Sequence, residues 1–189
     1  PEYWYEGTPI VEIPVIRKSM LDVPSQALAL HQWVTEQPWT QRERVTFTGY
    51  SFGAMFIPAI YHLAYSHNIT LNPGVISYAG ADISDLLYTN MEKIATPWRS
   101  FLAWLGETAI YSIEPEHHLS YMNNEFLLIN GTRDHQISRY SWEKLHQLVP
   151  QPKTVVILDE GHMHPRKPEL TKKLVKITRE WLRERELIN

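Results

Sequence analysis

The period of the apolar positions changes repeatedly along the chain, and the changes predict short strands alternating with helices. The run Val45-Thr46-Phe47-Thr48 leads into Gly49-Tyr50-Ser51-Phe52-Gly53, and apolar Ala54, Met55, Phe56, Ile57, Ile60 and Leu63 follow. That order predicts a buried strand turning sharply into a helix, with Ser51 at the apex. Gly74 to Gly80, Phe126 to Asn130 and Thr154 to Leu158 are three further short apolar runs that predict buried strands. Ser141 to Val149 predicts a helix, with Trp142, Leu145 and Leu148 on one face. The last helix carries Leu170, Leu174, Ile177, Trp181 and Leu182 as one stripe, opposite a Lys- and Arg-rich side.

The front of the chain reads differently. Pro1, Pro9 and Pro14 stand among Tyr3, Trp4 and Tyr5, and prolines at those intervals predict extended or loop backbone as far as Met20. Asp22 with Pro24 then offers a helix start, and Ala27, Leu28, Leu30 and Val34 carry the spacing to about Glu36, before Gln37-Pro38 stops it. Between Asp82 and Ser120 the pattern is irregular. Leu86, Leu87, Ile94, Trp98, Phe101, Leu102, Trp104 and Leu105 suggest one or two short helices, so residues 83–120 are expected to form a small cap insertion within a single domain.

Four apolar strands separated by helices describe an α/β protein with a mostly parallel sheet flanked by helices. In such sheets, functional groups gather in the loops at the carboxyl ends of the strands. Ser51, Asp82, Asp134 and His162 each lie just past a predicted strand end, so all four are expected to face one rim.

Composition narrows the partners. A net charge of −3 over 189 residues gives no reason to expect nucleic acid or an anionic membrane surface. The basic side of the last helix is interleaved with Glu180, Glu184 and Glu186, which reads as a solvated surface. No apolar run approaches the length of a membrane span, and Pro1 opens no signal peptide, although a trimmed N-terminus would hide one. The absence of cysteine removes disulfides, thiolate metal sites and cysteine nucleophiles, and leaves the compartment open, with the cytoplasm as the default expectation. No carboxylate stands at a recognised spacing from His117 and His118, so neither a metal nor another cofactor is expected, and both are read as cleft-edge or surface groups.

The Gly-x-Ser-x-Gly carries the chemistry. Flanking glycines suit a turn in which the chain and a neighbouring strand approach too closely for a Cβ. The serine hydroxyl is then held beside the start of the following helix, where the Phe52 N–H can face a developing negative charge.

With these residues the chain resembles the α/β-hydrolase superfamily of serine esterases and lipases, from roughly Leu21 to the C-terminus. Gly49-Tyr50-Ser51-Phe52-Gly53 matches the family's nucleophile motif. Leu127 to Asp134 resembles the strand and loop that deliver its acid, and Val155 to His162 the strand and Gly-His loop that deliver its histidine. The order Ser, Asp, His is the family's order. The resemblance implies Ser51 as nucleophile, His162 as base and Asp134 as the acid that orients it, with the Phe52 N–H as one oxyanion donor. His164 remains an alternative base and Asp82 an alternative acid. Tyr50, Trp4, Tyr5 and Trp98 are expected to line the substrate cleft, while Trp98, Phe101, Trp104 and Leu105 fit cap and ordinary packing equally well. The implied substrate is a small-molecule carboxylic ester or thioester; a prolyl-oligopeptidase-like peptidase and a non-catalytic hydrolase-like binding protein are the alternatives.

The front of the chain departs from the family. Members have several strands before the elbow strand, and a loop after one of them supplies a second oxyanion donor. Here there is room for at most one irregular strand before Val45, which would leave Val45 and Phe47 on an uncovered edge. The expectation is therefore that these residues are the C-terminal portion of a longer polypeptide, whose N-terminal segment would be a partner. The second donor and the oligomeric state are left open.

Overall fold

The computed structural model describes residues 9–189. Four strands form one sheet in the order β1-β2-β3-β4: β1 Thr48–Tyr50, β2 Gly74–Ser77, β3 Phe126–Gly131 and β4 Lys153–Leu158. Every neighbouring pair is parallel, with Thr48 opposite Val75, Val75 opposite Leu127 and Leu127 opposite Thr154. Parallel strands need crossovers, and these are helical: α2 Ile57–Ser66, α3 Ile83–Asn90 with α4 Thr96–Ala109, and α5 Arg139–Leu148. α1 Pro9–Thr35 precedes the sheet and α6 Pro168–Glu184 closes the chain.

Side-chain alternation along the central strands divides the interior in two. Ile76, Phe126 and Leu128 face a core completed by Leu28 of α1, Ile57 and Ile60 of α2, and Leu145 of α5. Val75, Leu127 and Ile129 face the other side, where α6 covers them with Leu170, Leu174, Trp181 and Leu182. Every residue of β2 and β3 is buried, as expected of a parallel sheet covered on both faces.

The front of the chain corrects the sequence reading. Residues Pro9 to Met20 are not extended: α1 runs unbroken from Pro9 to Thr35, with Pro14 and Pro24 inside it. Asp22 and Pro24 are therefore interior positions, although the end near Glu36 is as expected. The physical reason is tertiary. Leu21, Pro24, Leu28 and His31 recur at helical spacing, the last three buried, and Met20, Leu21, Val23, Ala27 and Leu28 pack on the α2-side core. Burial of that stripe outweighs the single backbone hydrogen bond each proline removes.

Among the described residues β1 ends the sheet, and Phe47 beside it is half-buried rather than bare. His31 of α1 stacks on its ring at 5.6 Å and Tyr61 of α2 meets it edge-on at 6.2 Å. The elbow glycines also differ from expectation. A Cβ on Gly49 would lie 2.5 Å from Ala54 Cα, so the close approach is real there. A Cβ on Gly53 would meet nothing within 4 Å, because no strand lies on that side among the described residues.

Between residues 83 and 120 lie α3, α4 and three short 3-10 turns. α4 buries only Ala103, and Trp98, Phe101, Trp104 and Leu105 are all exposed, so ordinary packing does not account for them. Among the described residues no helix is long and apolar enough to cross a membrane.

Gly49→Ala is expected to cost about 2 kcal/mol, because backbone must shift to admit the methyl group. Gly53→Ala is expected to be neutral or stabilising by about 0.5 kcal/mol, since it adds no clash and reduces unfolded-state freedom. Urea denaturation of the two variants tests the contrast. A pH dependence also follows. Burial pushes His118 and His146 down from 6.5 to about 4, and His146 Nε2 bonds Asn130 Oδ1 at 2.9 Å. Groups held neutral by the fold contribute fully above the unfolded pKa, and that contribution is lost as pH falls through the folded one. Melting temperature should therefore fall as pH drops from about 6.5 towards 4, and His146→Gln, which keeps a donor for Asn130 but does not titrate, should flatten the decline.

Candidate active site

β1 leaves Tyr50 in extended conformation, with φ −128° and ψ 133°, and the next residue reverses the chain. Ser51 sits at φ 52°, in the left-handed region that a non-glycine residue enters at a cost of about 1–3 kcal/mol. A six-residue 3-10 turn, Ser51–Phe56, then runs directly into α2. This is the strand-turn-helix geometry the sequence predicts.

β3 delivers Asp134 in a tight turn in which the Asp134 N–H donates to Gly131 O at 3.3 Å. Its side chain is fully buried. Asp134 Oδ1 accepts from the Gln136 and Ile137 N–H groups at 2.8 and 3.1 Å, which fixes the carboxylate before its other oxygen is engaged. β4 delivers His162, three residues beyond Asp159. His162 Nδ1 lies 2.7 Å from Asp134 Oδ2, and His162 Nε2 lies 2.7 Å from Ser51 Oγ. A carboxylate accepts only, so Nδ1 carries the proton and Nε2 is left as acceptor for the Ser51 hydroxyl.

The remaining candidates separate. His164 is exposed, and its Nδ1 accepts from the Arg166 N–H at 3.1 Å. Asp82 caps α3 through the Asp85 N–H at 2.9 Å and faces Lys144 Nζ at 3.3 Å, so its carboxylate is engaged away from His162. Asp159 pairs with Arg133 and Glu160 with Lys173. Tyr50 sends its hydroxyl to Thr178 Oγ1 of α6 at 3.0 Å, and its ring packs against the α6-side core. Trp98 is 66% exposed on α4. Trp4 and Tyr5 lie outside the described residues. The Phe52 ring is half-exposed and meets Phe56 edge-on at 5.2 Å. Its N–H belongs to the first turn of the elbow helix, where N–H groups lack intrahelical acceptors.

Three supporting residues carry no sequence signal. Glu114 is almost completely buried and accepts from the Asp82 and Ile83 N–H groups at 2.9 and 2.7 Å, fastening the start of α3. Burial pushes its carboxyl upward, and those backbone donors oppose the rise. Lys144 bridges Asp82 and Glu116. Tyr78 stands 5.5 Å from the His162 ring with the planes at 83°. Each is an ordinary residue in an ordinary run, given its place only by long-range contacts. Among the described residues no group of three or more His, Cys, Asp or Glu is arranged to hold a metal ion. His118 is partly buried, its Nδ1 2.8 Å from Nδ1 of His62, rather than a free cleft-edge group. A cavity of about 700 Å³ is lined by Tyr61, Leu71, Tyr121 and Asn124, near the amino ends of the strands and away from Ser51.

No family model and no curated protein matches the sequence. Solved structures do. The chain aligns with an esterase of Pyrococcus furiosus at TM-score 0.60 and 15% identity, covering 86% of this chain and 62% of that one. It aligns with acetyl xylan esterase 1 of Thermoanaerobacterium sp. at TM-score 0.55 and 15% identity, covering 76% and 48%. A puromycin-hydrolysing peptidase of Mycobacterium tuberculosis gives TM-score 0.62 at 15% identity, covering 84% and 25%. The fold is that of the α/β-hydrolases. The chain spans between a quarter and two thirds of the length of these structures.

Tyr50→Phe discriminates packing from substrate contact. Loss of the Thr178 hydrogen bond should cost about 1 kcal/mol in urea denaturation, with KM for any substrate unchanged. A change in KM at constant stability would instead put the hydroxyl in the cleft.

Proposed function

We propose that this protein is a serine hydrolase that cleaves small-molecule carboxylic esters or thioesters through an acyl-enzyme. The observation that carries the reading is the unbroken path from Ser51 Oγ through His162 to Asp134, two hydrogen bonds of 2.7 Å each, starting from a strained turn. His162 Nε2 takes the Ser51 proton as Oγ attacks the carbonyl carbon, because a neutral imidazole is a competent base near neutral pH. Asp134 holds the tautomer and stabilises the imidazolium that forms. The Phe52 N–H donates to the oxyanion. His162 then returns the proton to the departing alcohol or thiol, and water repeats the sequence on the acyl-enzyme. The chemistry needs no cofactor.

The peptidase reading draws support from the likeness to the puromycin-hydrolysing enzyme and to an acylaminoacyl peptidase of Pyrococcus horikoshii, the latter at TM-score 0.57 and 15% identity. Esters are favoured because they need less leaving-group activation than amides, and among the described residues no element reads as a peptide-terminus site. The connected Ser51, His162 and Asp134 weigh against a purely binding role.

A fluorophosphonate probe should label the full-length protein at Ser51 and fail on Ser51→Ala. Short-chain p-nitrophenyl esters set against peptide amides should show turnover of the esters. Asp134→Asn should lower kcat by about 10⁴-fold, whereas Asp82→Asn should change it less than about threefold. Absence of labelling at Ser51 in the full-length protein would overturn the hydrolase reading.

A further inference from the structure

We propose that Tyr78 is a positioning residue for His162, its ring forming the wall that holds the imidazole between Ser51 and Asp134. The inference rests on the serine hydrolase reading above.

Tyr78 is the residue immediately after β2, and its N–H donates to Ile129 O at 2.7 Å, extending the β2–β3 ladder by one rung. Its backbone is left-handed, φ 56°, a conformation that a bulky side chain rarely adopts. That turn keeps the ring inside, completely buried, instead of releasing it to the rim. The ring lies across the end of β3: a Cβ on Gly131 would stand 3.1 Å from Tyr78 Cε1 and would also strike Glu160 O. Glycine at 131 therefore makes room for the ring, and the ring in turn reaches His162.

As plain core filler Tyr78 is a poor choice. Leucine or phenylalanine would occupy the α6-side core without a buried hydroxyl, and the Tyr78 hydroxyl meets no hydrogen-bond partner among the described residues. Burial, reinforced by Asp134 and Glu160, pushes the phenol up to about 12, so the wall stays neutral throughout the working range. The orphaned hydroxyl and the left-handed backbone both oppose folding, and such features concentrate where function requires a geometry. The requirement here is specific. Both hydrogen bonds of His162 lie along in-plane directions of the imidazole and resist tilting of the ring only weakly. A second ring stands against the imidazole at 83° and 5.5 Å, and contact with it is what would oppose that tilt.

The test compares Tyr78→Phe, which keeps the ring, with Tyr78→Asn, which removes it but tolerates a left-handed backbone. Both are measured in the full-length protein for kcat and KM on a short-chain p-nitrophenyl ester, per site labelled by fluorophosphonate. The low-field proton resonance of the His162 Nδ1–H is followed alongside. Tyr78→Phe should keep kcat within about threefold and retain the resonance. Tyr78→Asn should lower kcat by about 10- to 100-fold at unchanged KM, with full labelling stoichiometry and a broadened or missing resonance. A core-packing role alone would change stability and the labelled fraction but not the rate per labelled site. Wild-type kcat and an intact resonance in Tyr78→Asn would overturn the proposal, as would equal losses in both variants. A wild-type protein that neither labels nor turns over ester would sink the hydrolase reading instead, and the resonance would still report whether the ring positions His162.

Discussion

Parallel pairing of the four strands sets where every loop of the site emerges. Because β1 to β4 run in one direction and in close register, every strand releases its chain at the same edge of the sheet. Ser51, Tyr78, Asp134 and His162 come from four different strand ends, yet they meet within hydrogen-bond or ring-contact distance. An antiparallel partner anywhere in the order would send one of those loops to the opposite edge. The pairing itself is secured by burial on both faces, with the α1, α2 and α5 side carrying one core and α6 the other.

Rigidity below the rim permits strain at the rim. Two of the non-glycine residues in the left-handed region, Ser51 and Tyr78, directly follow strand ends, and a third, Asp82, caps α3. β2 and β3 are buried along their whole length, so they cannot shift without opening the interior. The conformational cost is local, and the support is distributed over the sheet.

Polar contacts then decide which of several similar residues can take part. Asp82 and Asp134 both follow a strand, and both accept backbone N–H groups from the residues after them. One carboxylate has its second oxygen facing Lys144, and the other has it facing His162. Lys144, Glu114 and Glu116 thus hold the start of α3 in place and leave Asp134 as the carboxylate on the imidazole.

The number and order of the strands, most helices and the sharp turn at Ser51 were legible in the residues alone, because these are set by neighbours in the chain: apolar period, β-branching and the glycine at 49. Position and burial were not: β1 begins at Thr48 rather than Val45, and Val155 and Ile157 of β4 are exposed rather than buried. The expectation of a common rim rests on strand direction, and Ser51, Asp134 and His162 do meet there, while Asp82 is engaged by Lys144 and the Asp85 N–H. Other features depend on long-range packing. Pro14 and Pro24 argue locally against a helix, yet α1 passes through both because its apolar stripe is buried on α2. Gly53 looks equivalent to Gly49, yet only Gly49 has backbone against it. Tyr50 adjoins the serine in sequence but turns to Thr178, and Tyr78, far from His162 along the chain, lies against its ring. Local propensity acts over a few residues, whereas which side chains touch depends on sheet order and on the course of loops between distant segments.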